Sequence, residues 1–267
     1  MTLMKWTAAL GLSLSLLAPV HAVEDVFWLD VQNNKTSSVM RYLAQGVDPN
    51  IKSREALPAV MWAIQNEAWG VYDLLTSHRA FDPNATNDHD ETPLMYLALL
   101  GDKQRALDLI AKGAKVNRLG WTPLHYAASK KELEMAQLLL DKGALVNAPA
   151  PDGTTPLMMA ARSGSSKMTN LLLKNGADPT TRSVTKLSAA DWAEANKQTR
   201  LAEQLRQVEA RYQQQRVQTQ GKMGAFSIDE VAEQEPAPSG TAERPAGTST
   251  GTSQYFDLKR FDEPVNP

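Results

Sequence analysis

The stretch TPLHYAASKKELEMAQLLLDKGALVN, from Thr122 to Asn147, decides the fold. It opens with a threonine that can cap a helix and a proline, which suits the first helical turn because its missing N–H would be unsatisfied there anyway. Small residues follow, then the apolar run Leu138–Leu140 of a second helix, and then Gly143, which permits the left-handed conformation that ends a helix. The stretch therefore predicts two packed helices joined by a short turn.

The same pattern recurs along the chain. TPLMYLA starts at Thr92 and TPLMMAA at Thr155, and Thr122 and Thr155 are 33 residues apart. Gly113 and Gly176 repeat the role expected of Gly143. Weaker copies start at Leu57 and Ser188, and residues 37–50 match the second half of a still earlier copy. A single helix pair cannot bury its own apolar faces, so such repeats stack into a solenoid with a continuous core.

This pattern resembles the ankyrin-repeat family over roughly residues 26–195, through Thr-Pro-Leu-x-x-x-Ala, the Leu-Leu pair and Gly-Ala-x-x-Asn. The resemblance implies an all-α solenoid of stacked helix-turn-helix units with short β-hairpin fingers, with about five repeats in residues 23–195 counting degenerate ends. Phe27, Trp28 and Val31 are expected to face inward from a degenerate first helix.

Residues 196–216 are predicted to form a C-terminal capping helix, with one apolar stripe made by Leu201, Leu205, Val208 and Tyr212. The stripe either covers the last repeat or is left free for a partner helix.

The N-terminus has the pattern of an export signal over residues 1–22. A lysine precedes an uncharged apolar run, and the small residues before Val23 predict cleavage after Ala22. The alternative is an uncleaved anchor, although the run is shorter than the ~20 residues that span a bilayer. We expect a periplasmic or secreted protein of the exported bacterial type, and the complete lack of cysteine suits an oxidising compartment.

Residues 217–267 are rich in Pro, Ser, Thr and Glu and are expected to be disordered, because they cannot bury enough apolar surface to offset the ordering entropy. Two apolar segments interrupt this tail, one starting at Gly224 and one at Ser253. The second is a candidate binding motif, which orders on a partner, folds back onto the repeats or has no role; its apolar residues are Tyr255, Phe256, Leu258 and Phe261.

No constellation for catalysis, a cofactor or a metal is found in the sequence. His125 stands where Met95 and Met158 stand in neighbouring copies, so the position does not require proton transfer; the family resemblance implies a tether between finger and helix. The acidic run Asp88–Glu91 lacks the spaced ligands and turn glycine of a Ca²⁺ loop. We therefore predict a non-enzymatic protein without cofactors.

The resemblance also implies a partner surface made by the residues just before each Thr-Pro-Leu and just after each Ala-Ala. Carried over by position, the predicted contacts are Arg54, His89, Asp90, Glu91, Leu99, Leu100, Leu119, Trp121, Lys130 and Arg162. An exposed apolar patch of Leu99, Leu100, Leu119 and Trp121 would mark an interaction site. Because the finger before Thr122 is short, Trp121 can instead fold onto Leu99 and Leu100 as local core, and the sequence leaves both options open.

The predicted function is binding of another protein, as a scaffold or an accessory. The alternative is a dedicated immunity protein or inhibitor of one exported enzyme or toxin, and a metal protein or enzyme is the third option. A net charge of -2 argues against a nucleic-acid partner. We expect a monomer with no membrane contact after signal cleavage.

Overall fold

Two rows of short helices build the solenoid. The computed structural model describes residues 20–219, so residues 1–19 of the predicted signal and residues 220–267 of the tail lie outside the described part. The inner row consists of α1 (Val20–Gln32), α3 (Ala59–Gln65), α5 (Pro93–Leu100), α7 (Pro123–Lys130), α9 (Pro156–Ser163) and α11 (Ala189–Ala195). The outer row consists of α2 (Thr36–Ala44), α4 (Trp69–Ser77), α6 (Lys103–Ala111), α8 (Leu133–Asp141), α10 (Ser166–Lys174) and α12 (Thr199–Thr219).

The inner helices begin as their sequence predicts. Thr92, Thr122 and Thr155 occupy the N-cap position, and a proline follows each of them at the first helical position. In the first repeat the N-cap is Pro58, so the sequence alignment, which put Leu57 in the place of threonine, was wrong by one residue. Residues in the left-handed conformation confirm the shift. Around Thr92 they are Asp90, two residues before it, and Gly101, nine residues after it. Around Pro58 they are Ala56 and Glu67, at the same two distances.

Left-handed residues end both rows of helices. Gly113, Gly143 and Gly176 have φ values of 98°, 84° and 86° after outer helices, which confirms the prediction made for them. At the ends of the inner helices α5 and α7, the same conformation is adopted by Gly101 and by Lys131, whose φ is 68°. A lysine there has the steric cost of a Cβ in the left-handed region.

The core lies between the two rows. Each inner helix contacts the next inner helix, and α2–α4, α6–α8 and α8–α10 pair in the outer row. Asparagines join neighbouring repeats on the turns: the Asn117 amide donates to the Gly143 carbonyl at 2.7 Å and accepts from the Leu145 N–H at 2.8 Å. Asn50, Asn84 and Asn147 repeat this pair of bonds. The exposed turns are thereby fixed from one repeat to the next.

Both ends of the solenoid are closed by apolar side chains. Phe27, Trp28 and Val31 of α1 are buried, which confirms their predicted orientation. In α12 the predicted stripe is buried as well, and its members are Leu201, Leu205, Val208 and Tyr212. The stripe therefore caps the last repeat and is not free for a partner helix. The predicted cleavage site after Ala22 lies within the first turn of α1, which starts at Val20.

A loop, here called a finger, precedes each inner helix from α3 onward: fingers 1 to 5 are residues 52–57, 86–91, 117–121, 149–154 and 182–187. Hairpin bonds close four of them, as in finger 4, where the Ala150 N–H donates to the Thr154 carbonyl at 2.8 Å. Residues 20–219 contain no strand, only one isolated bridge between Lys52 and Pro58. In this part of the chain no helix combines the length and apolar character needed to span a membrane.

Candidate functional site

The candidate site is the surface formed by the inner helices, here called the inner-helix face. One row of side chains on it comes from the fifth position of each repeat, counting the N-cap as the first: Trp62, Tyr96, Tyr126, Met159 and Trp192. Residues three and four positions further lie on the same side of a helix, so Leu100, Lys130 and Arg162 belong to this face. The middle of the row is buried, whereas Trp62 and Trp192 are partly exposed.

Trp121 lies in the local core. Its side chain is only 8% exposed, and its ring meets the His125 ring edge to face at a centroid distance of 5.2 Å. Finger 3 has no closing hairpin bond within itself, unlike the four others. Because this finger is short, Trp121 stays packed against His125 of α7. Leu99 is 6% exposed. The prediction of Trp121 and Leu99 as exposed partner anchors is therefore wrong. Trp121 is buried, as the local-core alternative expects, but its ring contact is with His125, and Leu100 is 48% exposed.

Glu91 is also buried, with 1% of its surface exposed. Its carboxylate accepts hydrogen bonds from the Asn87 amide at 2.7 Å and from the hydroxyls of Tyr126 and Tyr96, the latter at 3.5 Å. The two tyrosines belong to neighbouring inner helices, so the carboxylate joins finger 2 to α5 and α7. The prediction of Glu91 as a partner contact is wrong, because its side chain is buried and its acceptor oxygens face these internal donors.

Leu100 and Leu119 are exposed, by 48% and 96%, but they do not form one patch. Leu100 is the last residue of α5, whereas Leu119 lies in finger 3, before α7 begins. The neighbouring inner helices run side by side, so the two leucines lie at opposite ends of helices about 12 Å long. The predicted patch of four apolar residues is therefore divided, with Leu100 alone on the inner-helix face.

The polar finger residues lie on the surface and are partly paired. His89 and Asp90 are exposed; the His89 ring nitrogen lies 2.7 Å from the Asp88 carboxylate, and Asp90 lies 3.8 Å from the Arg118 guanidinium. Arg54 is exposed in finger 1 and pairs with Asp25 at 3.1 Å. These three predicted contact residues are accessible, and none belongs to the inner-helix row.

Lys130 and Arg162 are half-buried at the ends of α7 and α9. Burial lowers the pKa of the Arg162 guanidinium, because removal from water disfavours the charged form. Both residues lie on the inner-helix face, and their role as partner contacts stays a prediction. The sequence prediction missed Trp62 and Trp192, whose equivalence to Tyr96 and Tyr126 could have been found by counting from the helix caps.

His125 has a structural environment. Burial lowers its pKa to about 4, against the opposing effects of the Thr154 backbone bond and of Asp152. One ring nitrogen bonds Thr122, at 3.1 Å from its N–H and 2.9 Å from its hydroxyl, and the other lies 3.1 Å from the Thr154 carbonyl. The ring thus ties finger 4 to α7. In the described part of the chain no three His, Asp or Glu side chains are grouped so as to hold a metal ion.

The predicted tail motif of Tyr255, Phe256, Leu258 and Phe261 lies outside the described residues, so its three alternatives stay open.

Comparison with known proteins finds similarity to ankyrin repeats. Residues 98–183 match the family model for ankyrin repeats in three copies. An ankyrin repeat protein of fowlpox virus (strain NVSL) is 31% identical over 137 residues, which cover 51% of this chain and 18% of the relative. The human neurogenic locus notch homolog protein 1 is 31% identical over 140 residues, or 51% of this chain and 6% of the relative. Zygote-specific protein 3 of Chlamydomonas reinhardtii is 41% identical over 107 residues, which cover 39% of this chain and 28% of the relative.

The chain spans less than a third of the length of these relatives, so the likeness concerns the repeats alone. The family model matches three copies within the solenoid, and the capping, spacing and finger contacts described above recur from repeat to repeat. The comparisons therefore support the ankyrin-repeat family for residues 98–183 and for the solenoid that contains them.

Proposed function

We propose that this protein is an exported, non-enzymatic module that binds another protein through its inner-helix face. The observation that carries the proposal is the combination on one face of exposed Leu100, partly exposed Trp62 and Trp192, and half-buried Arg162. Ankyrin repeats generally mediate interactions between proteins, and tryptophan and arginine are enriched among the residues that dominate binding energy.

The face suits this function because its side chains are held by a rigid frame. Trp62 packs against Trp28 with a centroid distance of 5.6 Å, and α3, α9 and α11 are fixed by their neighbours on both sides. A surface that is already ordered loses little conformational entropy when it binds. The proposed anchors are therefore Trp62, Leu100 and Trp192, with Lys130 and Arg162 as the charged residues, in place of Trp121, Leu99 and Glu91.

Export is supported by the sequence pattern of residues 1–22 and by the lack of cysteine. It places the partner in the periplasm or outside the cell. A dedicated immunity or accessory role is the narrower version of the same proposal, in which the partner is a single exported enzyme or toxin.

Affinity capture from the native exported fraction tests the proposal with two variants of the full chain. Leu100→Glu puts an acid on the inner-helix face, and the matched control Gln104→Glu puts the same acid on α6 of the same repeat, where Gln104 is exposed on the outer row. We expect Leu100→Glu to lose a partner that the wild type and Gln104→Glu retain, with unchanged circular dichroism. Equal capture by both variants would remove the inner-helix face as the binding surface.

A further inference from the structure

Arg162 is a partly buried arginine with no ion-pair or hydrogen-bond partner among the described residues. In the described part of the chain, Arg105 pairs with Asp102 at 2.6 Å and stacks on Trp69 at 4.0 Å from the ring centroid, and Arg118 faces the Asp90 carboxylate. No side chain of residues 25–216 forms an ion pair or hydrogen bond with the Arg162 guanidinium, and burial alone accounts for its lowered pKa. A half-buried charge without a counter-ion is unfavourable unless a ligand supplies one.

Two lysines extend this positive charge. Lys130 is the last residue of α7 and Lys131 follows as its C-cap, while Arg162 is next to the last residue of α9. Because α7 and α9 pack side by side, the three residues lie at the same end of neighbouring helices. They are here called the cationic patch. The nearby Glu132 packs on Gly101 of the preceding repeat, and the exposed Leu100 borders the patch from α5.

One segment of this chain has the complementary chemistry. Residues 225–235, AFSIDEVAEQE, carry four acids and no lysine or arginine, together with Phe226, Ile228 and Val231. The other apolar segment of the tail, which contains Tyr255–Phe261, is less suited because Lys259 and Arg260 stand in its centre. Arginine recognises carboxylates by paired N–H donors in a fixed planar geometry.

We propose that the cationic patch is the docking surface for the chain's own acidic segment 225–235, which occupies the inner-helix face and competes with the partner protein. Carboxylates of the segment pair with Arg162 and the two lysines, and its apolar side chains contact Leu100. This inference rests on the proposed function, since it concerns the occupancy of the same face, and it adds an internal competitor to it.

The position of α12 permits the contact. Gln198 lies against Gly164, and Glu209 pairs with Arg182 of finger 5, so α12 runs from the cationic-patch end of the inner helices toward the fingers. The end of α12 lies about 34 Å from Arg162, if two helix spacings of about 10 Å each are combined at right angles with about 27 Å along the helix axis. The 16 residues from Thr219 to Glu235 span up to about 53 Å when extended.

A tether of this kind gives the segment a local concentration in the millimolar range. Weak ionic and apolar contacts are then sufficient to occupy the face, and a partner that binds more tightly displaces them. The contact depends on ionic strength, because salt screens partly exposed ion pairs.

Paramagnetic NMR on the full chain tests the proposal. The chain has no cysteine, so Ser227→Cys provides a single site for a nitroxide label. We expect the label to broaden the amide signals of residues 159–163 and the Trp192 indole signal, and to leave residues 103–111 of α6 sharp. High salt and Arg162→Glu should abolish the broadening, whereas the matched control Lys167→Glu, on the exposed start of α10, should retain it.

Three results would overturn the proposal. The first is that the NMR signals of residues 159–163 and of the Trp192 indole have the same intensity with the oxidised label as with the reduced label. The second is broadening that appears only when labelled and isotope-enriched chains are mixed, which assigns the occupant to a second copy. The third is broadening from a label at Ser253→Cys and none from Ser227→Cys, which assigns it to the other tail segment. None of these results requires the partner, so partner capture through Leu100 is decided separately.

Discussion

Replacing His125 with methionine should make the folded protein more resistant to mild acid. His125 is fully buried, with its pKa lowered from 6.5 to about 4. In the unfolded chain the imidazole takes up a proton near its ordinary pKa, whereas in the folded chain it does so only near the lowered one. The unfolded state therefore binds more protons between these values, and the free energy of unfolding falls as the pH falls through this range.

The size of the effect follows from the two pKa values. At about 1.4 kcal/mol per pKa unit, the full difference corresponds to about 3 kcal/mol, of which about 2 kcal/mol is lost between about pH 7 and about pH 5. Asp30 and Asp191 have lowered pKa values too, but aspartates lose their contribution only near and below about pH 4. The window from pH 7 to 5 therefore reports mainly on His125.

Urea unfolding at the two pH values measures this loss. Methionine fits the site, since Met95 and Met158 are buried at the equivalent positions. His125→Met is expected to be less stable at neutral pH, because the bonds to Thr122 and Thr154 are removed, but to lose little stability between the two pH values. Met158→Leu is the control that should keep the wild-type pH dependence. A loss in His125→Met as large as in the wild type would refute the reasoning.

Three further substitutions test the packing. Trp121→Ala should lower the free energy of unfolding by about 3–5 kcal/mol in urea denaturation, as for a buried tryptophan; a change near zero would mean that Trp121 is not core. Tyr126→Phe should cost about 1.5–3 kcal/mol, because it removes the hydroxyl that donates to buried Glu91, and an unchanged melting temperature would contradict that bond. Lys131→Gly should stabilise by about 0.5–1 kcal/mol by relieving a left-handed residue, and destabilisation would show that the lysine side chain matters more than its backbone strain.

The repeat frame could be predicted from sequence because its determinants are local. A threonine cap, a proline at the first helical position and a glycine after the second helix each act within a few residues. The apolar stripe of α12 was also predictable, because helical periodicity alone brings Leu201, Leu205 and Val208 to one side.

The exposure of the site residues depended on contacts between repeats and could not be read from position alone. Glu91 precedes Thr92 as Trp121 precedes Thr122, a position expected to be exposed, yet both are buried. Two tyrosine hydroxyls from separate helices reach Glu91, and a shortened finger keeps Trp121 against His125. In the first repeat the sequence alignment was displaced by one residue, so the equivalence of Trp62 with Tyr96 and Tyr126 was missed.

Site-specific photocrosslinking tests most directly whether the inner-helix face is the partner surface. A photoreactive residue is placed in turn at three inner positions, Trp62, Leu100 and Trp192, and at three exposed outer positions, Gln104, Gln137 and Lys167. In the native exported compartment, we predict covalent capture of one partner protein from the inner positions and none from the outer ones. Capture from the outer positions alone, or equally from both sets, would contradict a binding surface on the inner helices.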